Sequence, residues 1–123
     1  MERKTKRYRQ FMVDVKLRNE WLDLFNTLEA VCLTSVCYGH GSVIAHVTFQ
    51  SNDWQKLNEI YRAVYGCGRI AVARFDEKTR PLAKGDYCIR IVPHTHLKNK
   101  KKWFKKLHRA IVGLHSHAQQ KVL

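Results

Sequence analysis

Several residues in this chain have side chains that bind metals. Cys32, Cys37 and His40 follow C-x4-C-x2-H spacing, and Cys67 is a candidate for a fourth zinc ligand. A structural zinc site needs four ligands that converge tetrahedrally, but two of these residues fall on or beside a predicted strand. We therefore favour reduced thiols, two or more of them packed in the core, and leave a metal at Cys32, Cys37 and His40 as an open alternative.

Two further segments resemble parts of nucleases. His94-Thr95-His96 is similar to the histidine pair that holds a metal in rolling-circle nucleases, but its middle residue is polar and it follows Pro93. The string GCGRI, ending at Ile70, resembles part of a LAGLIDADG homing-endonuclease repeat, yet the comparable GHGS has His40 where that family needs an acidic metal ligand. We predict no enzyme activity, no catalytic residue, no metal and no cofactor. A metal-dependent or degenerate nuclease is the alternative.

Net charge is the strongest compositional signal. The chain has 23 Lys and Arg against 10 Asp and Glu among 123 residues, a formal charge of +13. Such an excess repels itself unless an anionic partner neutralises it, and nucleic acid is the commonest partner of this kind. A ribosome-associated RNA-binding protein shares the same property. No apolar run of membrane length and no signal peptide is evident, so we expect an intracellular protein that does not insert into membranes.

A central unit, residues 41–91, must position any binding surface. Its periodicity predicts a strand over Ser42–Phe49, a helix over Asn52–Tyr65, and two strands over Arg69–Phe75 and Asp86–Val92. One helix covers only one face of a sheet. We therefore predict an α+β fold with one domain, in which a small, mostly antiparallel sheet has helices packed on one face and the other face open for RNA.

The open face is predicted from alternation in the last two strands. Residues 87, 89 and 91 point into the core, which turns Cys88 and Arg90 outward. On the preceding strand, burial of Ile70 and Val72 places residues 71 and 73, both alanines, outward as well. Small side chains beside an arginine suit a regular polyanion better than a small ligand that needs a pocket. Residues of this kind bind a phosphate backbone, since the face has no aromatic pair on which bases stack.

The chain before the central unit is predicted to contain a basic arm, a helix and a strand. We predict that residues 1–17 form a basic N-terminal arm, in which residues 1–9 are disordered alone and Gln10–Leu17 form a short strand or the approach to a helix, and that residues 18–123 form the RNA-binding domain. Residues 18–30 predict an amphipathic helix, and Trp21 on its apolar face is more often a packing residue than a platform for a ligand. Residues 31–38 predict a further strand.

The last predicted helix, residues 100–118, begins with a cluster of cations. Positive side chains in the first turns of a helix oppose its macrodipole, which favours anions there. A bound phosphate backbone would neutralise the cations and would also supply the negative charge that the start of a helix favours. The cations are Lys100, Lys101, Lys102, Lys105, Lys106 and Arg109.

Residues 41–91 resemble the core of the tombusvirus and aureusvirus suppressors of RNA silencing, and are most similar to the smaller aureusvirus-type members. The resemblance is carried by GSV at Gly41, Leu57 and Ile60 in the helix, and Ile70 and Ala73 in the second strand. It is also carried by Tyr87-x-Ile89-Arg90 and by Asn19-Glu20-Trp21, which is similar to the end of a Trp-x-x-Trp segment.

The resemblance implies a viral protein that binds and sequesters double-stranded RNA, including small interfering RNA, independently of sequence. It implies a homodimer in the host cytoplasm, with the nucleus as an alternative location. Arg90 matches a sheet arginine of the RNA face, Cys88 takes a serine-like position, Trp21 matches one capping tryptophan, and Arg18 replaces the other. The complete predicted RNA-binding set is Arg90, Cys88, Arg18, Trp21, Lys98, Lys100, Lys101, Lys102 and Lys105.

Overall fold

Six strands and three helices follow one another along the chain in the computed structural model, which describes residues 4–9, 11–74, 87–94 and 99–122. A single 3-10 turn, Tyr65–Cys67, connects the second helix to the fifth strand. The strands are β1 (Thr5–Tyr8), β2 (Phe11–Asp14), β3 (Cys32–Cys37), β4 (His46–Ser51), β5 (Arg69–Arg74) and β6 (Tyr87–Val92). The helices are α1 (Asn19–Asn26), α2 (Trp54–Val64) and α3 (Lys100–Val122). None of these helices is long and apolar enough to cross a membrane.

The main sheet has the strand order β3-β4-β6-β5, and all its neighbouring pairs are antiparallel. The predicted α+β class and the strand-helix-strand-strand order of the central unit are therefore confirmed. The first strand of that unit starts at His46 and not at Ser42. The reason is a tight turn in which His40 and Val43 exchange backbone hydrogen bonds of 3.1 and 2.8 Å. Gly41, with φ of 54°, provides the left-handed conformation within the turn.

Helix α2 covers one face of this sheet. Leu57, Ile60 and Val64 recur at helical spacing and are all buried. The helix begins at an Asp53 N-cap, whose carboxylate accepts hydrogen bonds from the backbone amides of residues 55 and 56 at 3.0 and 3.4 Å. The helix begins at Trp54, two residues after the predicted start at Asn52.

Three parallel aromatic rings join α1 and α3 to the end of β3. The Phe104 ring lies between Trp21 and Tyr38, with centroid separations of 5.7 and 5.5 Å and interplanar angles of 7°. Trp21 is 1% exposed and Phe104 is fully buried. The interpretation of Trp21 as a packing residue is confirmed, and α3 belongs to the same helical layer as α1 and α2.

The N-terminal segment differs from the prediction. Thr5–Tyr8 and Phe11–Asp14 pair as an antiparallel hairpin, β1–β2. Thr5–Tyr8 is therefore not disordered as predicted, whereas Phe11–Asp14 matches the strand alternative for the segment that follows. Tyr8, Val13 and Leu17 join the hydrophobic core, and the Tyr8 hydroxyl donates a hydrogen bond to Asp23 on α1. The boundary that we placed after residue 17 is therefore wrong, because the hairpin packs on the same core as the rest of the domain. The three apolar residues lie among basic residues and are not regularly spaced, so the sequence pattern did not indicate that they are buried.

Candidate nucleic-acid interface

Arg90 lies on the face of the main sheet that no helix of the described chain covers. Its strand partners Thr48 on β4 and Ala71 on β5 share that face, because residues directly opposite in an antiparallel pair point the same way. The guanidinium is exposed, and its Nε donates a 3.0 Å hydrogen bond to the Thr48 hydroxyl. This bond uses one of five N–H donors and orients the planar group across the sheet. The outward direction predicted for Arg90 is confirmed.

The β5 side of this face is exposed. Ala71 and Ala73 lie opposite Arg90 and Cys88 and are both accessible, which agrees with the outward direction predicted for them. Arg69, two residues before Ala71, points to the same side and is exposed too. Its diagonal position puts its backbone about 7–8 Å from that of Arg90. The sequence prediction omitted Arg69, although its alternation with Ile70 would have identified it.

Two expectations about this face are wrong. Val72 was expected to be buried, but it is 50% exposed because β5 is an edge strand with no neighbour on its outer side in the described chain. Cys88 was expected to contact RNA, but it is only 8% exposed. It lies opposite Gln50, which is 3% exposed, in the middle of the sheet. Cys88 is therefore a buried thiol on this face, and the accessible part of the face lies toward β5.

His46 contributes hydrogen-bonding groups near Arg90. Its Nδ1 lies 2.9 Å from the carbonyl oxygen of Ile44, and its Nε2 lies 2.9 Å from the Ser35 hydroxyl. A carbonyl only accepts, so Nδ1 carries the proton and Nε2 accepts from Ser35 in the neutral ring. Burial lowers the pKa of His46 below its ordinary value, although the hydrogen bond to the Ile44 carbonyl opposes this shift, and the positive charge of Arg90 adds to it. These effects together favour the neutral ring.

Arg18 and Trp21 do not form a stacking site. Arg18 is exposed, and its Nη1 lies 3.4 Å from a Glu20 carboxylate oxygen. Its guanidinium carbon lies 5.8 Å from the centroid of the Trp21 ring. The Trp21 ring itself is buried against Phe104 and offers no free face to a base pair. The predicted contact of Trp21 with RNA is therefore wrong for this conformation.

The predicted lysines of α3 divide into two groups. The Lys100 ammonium donates a 2.9 Å hydrogen bond to the carbonyl of Gly39 and lies 5.6 Å from the Tyr38 ring centroid, so it holds the β3–β4 connection. Lys101, Lys102 and Lys105 are exposed. Because α3 packs against α1 and α2, these charges do not share the face of Arg90. Lys98 lies outside the described residues.

A cleft runs along α3 beside the start of β5 and the end of β6. Four of its lining residues are cations at i, i+3, i+4 and i+7, which places them on one side of the helix. The cleft has a volume of about 550 Å³. Its lining residues are Cys67, Pro93, His94, Asn99, Lys102, Trp103, Lys105, Lys106 and Arg109. Lys106 and Arg109 were not in the predicted RNA-binding set, although their helical spacing with Lys102 and Lys105 is visible in the sequence.

The residues considered for zinc do not converge. The Cys37 sulfur lies 3.6 Å from Nδ1 of His40, but Cys32 is at the opposite end of the same strand. Cys67 is buried, and burial raises the pKa of its thiol. Within the described ranges, no three His, Cys, Asp or Glu side chains form a group that could hold a metal ion. His96, one of the two histidines compared with the nuclease pair, lies outside those ranges.

Comparison with known proteins provides no relative from which a function could be transferred. No protein-family model, no curated protein and no solved structure matches this chain. The arguments about function below therefore depend on the site and on the sequence resemblance described above.

Proposed function

We propose that this chain binds double-stranded RNA through its backbone, without sequence selectivity, and acts as a non-enzymatic viral suppressor of RNA silencing by sequestering the duplex. The observation that carries the proposal is the accessible sheet surface formed by Arg69, Ala71, Ala73 and Arg90. We call these four residues the arginine face. The silencing role and the homodimer come from the resemblance of residues 41–91 to the viral suppressors.

The chemistry of the arginine face matches a phosphate backbone. Arginine presents a planar fork of donors that binds phosphate oxygens in a bidentate manner. The short side chains of Ala71 and Ala73 let a rod-shaped ligand approach the strands between the two arginines. The strand residues that the structure describes on this face include no Phe, Tyr or Trp. Stacking of unpaired bases therefore has no platform here, which favours a duplex over a single strand.

Selectivity for RNA over DNA would come from the shape of the A-form helix and its 2′-hydroxyl groups. Neutral polar groups that accept or donate hydrogen bonds are suited to such contacts. Ser35 lies on the same side of the sheet as Arg90 and is partly accessible, and its hydroxyl oxygen can accept a hydrogen bond while it donates to His46. The site would therefore combine two charges for the phosphates with a neutral group for the sugar edge.

Direct binding measurements test the proposal. The full chain is titrated with duplex RNA, duplex DNA and single-stranded RNA of one sequence, each of about 16 base pairs or nucleotides, the span of a typical duplex-RNA domain. We expect the tightest binding to duplex RNA and a loss of that binding in the variant R69A/R90A. Equal affinity for the three ligands would overturn the proposal. Mg²⁺-dependent cleavage that is abolished in H94A would favour a nuclease instead.

The silencing role needs a second experiment. Cells that silence a reporter in response to duplex RNA are supplied with the native chain or with R69A/R90A. We expect only the native chain to restore the reporter, because sequestration requires binding. Restoration by both proteins would separate suppression from RNA binding. Co-purification of the chain with ribosomal particles would instead indicate a ribosome-associated protein.

A further inference from the structure

We propose that the α3 cleft binds a phosphate monoester carried on a nucleotide, either the end of an RNA strand or a free mononucleotide. The strand-end form rests on the proposed RNA-binding function, whereas the mononucleotide form does not. The cleft is distinct from the arginine face, because its cations project from a helix in the helical layer.

Charge is the first argument. Lys102, Lys105, Lys106 and Arg109 line one cleft, and none of the described residues that line it is an Asp or Glu. The ion pairs found in the described part of the chain, Arg18–Glu20 and Lys56–Glu29, involve none of these four cations. Like charges at i, i+3 and i+4 on a helix repel one another. A ligand with concentrated negative charge removes that repulsion.

The start of α3 strengthens the positive potential. Asn99 caps the helix, because its side-chain oxygen accepts a 3.0 Å hydrogen bond from the backbone amide of Lys102. The helix extends from Lys100 to Val122, and the positive end of its macrodipole is the end that carries Lys102. The cations and the dipole therefore attract an anion to the same end of the cleft.

The cleft also has a fixed wall with apolar surface. The indole Nε1 of Trp103 donates a buried 2.8 Å hydrogen bond to the carbonyl of Cys67, which holds α3 against the turn before β5. Pro93, which is buried, closes the side next to β6. The Lys106 ammonium donates to the Gly66 carbonyl at 3.3 Å across the same junction. These contacts make the wall part of the packed structure and not a surface loop.

Size and shape favour a nucleotide over a bare ion. A volume of about 550 Å³ is far larger than a phosphate needs and lies within the range of small-ligand pockets. The apolar wall can contact a base or a sugar while the cations hold the phosphate. A phosphate monoester carries roughly 1.5 to 2 negative charges at pH 7, more than the single charge of a backbone diester. A concave, strongly cationic cleft therefore favours a chain end over an internal phosphate.

The position of the cleft connects it with the arginine face. Arg69 lies opposite Val92, the last residue of β6, and Pro93 follows directly into the cleft wall. Cys67, two residues before Arg69, forms the other side of the same junction. The two cationic surfaces therefore meet at one end of the sheet. A duplex on the arginine face would have its end within reach of the cleft.

Matched ligands test the proposal. The first arm compares one RNA duplex with 5′-phosphate, 3′-phosphate or hydroxyl ends, using the full chain. The second arm compares AMP with adenosine by calorimetry. We expect a gain of about tenfold for a phosphorylated end or for AMP, since one net hydrogen bond to a charged group changes an affinity by about this factor. The gain should disappear in K105A/R109A and persist in K4A/R62A, which removes the same charges from exposed sites outside the cleft.

The duplex arm and the AMP arm distinguish a strand end from a free nucleotide as the source of the phosphate. They also test the cleft separately from the proposed binding of duplex RNA. A preference among duplex ends identifies the strand end, whereas AMP binding without that preference identifies a free nucleotide. The absence of both, in protein whose thermal unfolding shows it is folded, overturns the cleft proposal whether or not duplex RNA binds. Failure of every duplex to bind overturns the proposed function alone, because the AMP arm still decides the cleft. A gain that is unchanged in K105A/R109A would also contradict this assignment.

Discussion

Trp103 on α3 donates its indole hydrogen bond to the backbone carbonyl of Cys67, in the turn that connects α2 to β5, over 2.8 Å. The donor and the acceptor are both buried, and this contact, together with the packing of Phe104, holds the long C-terminal helix against the turn before β5. It also aligns the cationic side of α3 with the end of β6.

Replacing Trp103 by Phe should destabilise the domain by about 1–3 kcal/mol, because the buried Cys67 carbonyl would lose its hydrogen-bond partner. Urea denaturation measures the change in the free energy of unfolding. Trp54→Phe is the matched control, since Trp54 is 38% exposed and should change stability far less. Equal effects of the two substitutions would show that the Trp103 hydrogen bond contributes little.

Two glycine substitutions should act in opposite directions. A Cβ atom at Gly68 would lie 2.0 Å from the backbone oxygen of Val92, so Gly68→Ala should force β5 and β6 apart and lower stability. At Gly113, within α3, a Cβ would meet no atom within 4 Å. Gly113→Ala should therefore stabilise the protein by roughly 0.5–1 kcal/mol through helix propensity. Thermal unfolding of both variants checks the pair, and a neutral Gly68→Ala would contradict the close packing.

Alkaline stability should depend on Tyr8. Burial, followed by its hydrogen bond to Asp23, raises the pKa of Tyr8 above the ordinary value of 10.0. The unfolded chain then releases this proton at lower pH than the folded chain does, so the free energy of unfolding falls as the pH rises above 10. Tyr8→Phe should weaken that pH dependence and should also cost about 1 kcal/mol at neutral pH through the lost hydrogen bond.

The pH series has an internal comparison. Burial also raises the pKa of Tyr38, so part of the alkaline loss should remain in Tyr8→Phe and should disappear only when Tyr38→Phe is added. Denaturation curves between pH 8 and pH 11 would measure both slopes. A slope that is the same in the native chain and in the double variant would show that neither tyrosine controls it.

The arginine face makes a prediction about salt. If Arg69 and Arg90 each neutralise one phosphate, R69A/R90A should reduce the slope of log affinity against log salt concentration by about two. Affinity measurements at several salt concentrations provide the slope. Arg62→Ala removes an exposed arginine from α2 and should leave the slope unchanged. A smaller slope in Arg62→Ala than in R69A/R90A would mean that the RNA lies on the helical side.

The elements with regular periodicity could be predicted from the sequence. Helix α2 was found because Leu57, Ile60 and Val64 repeat at helical spacing, and the direction of Arg90 followed from its alternation with Ile89 and Ile91. The N-terminal hairpin was not found, since Tyr8 lies among basic residues and its burial depends on a distant partner, Asp23. The exposure of Val72 was not predicted either, because the sequence does not show that β5 lies at the edge of the sheet.

The net charge, the α+β class and the basic segments at residues 1–17 and at the start of α3 could be read from the order of the residues alone. Which cations share a surface depends on how the helices pack. The reason is that a helix with cations on several sides has no preferred orientation until its apolar side is bound. Packing of Phe104 between Trp21 and Tyr38 and the Trp103–Cys67 hydrogen bond set that orientation. They place Lys102, Lys105 and Lys106 in a cleft at the end of the sheet and away from Arg90.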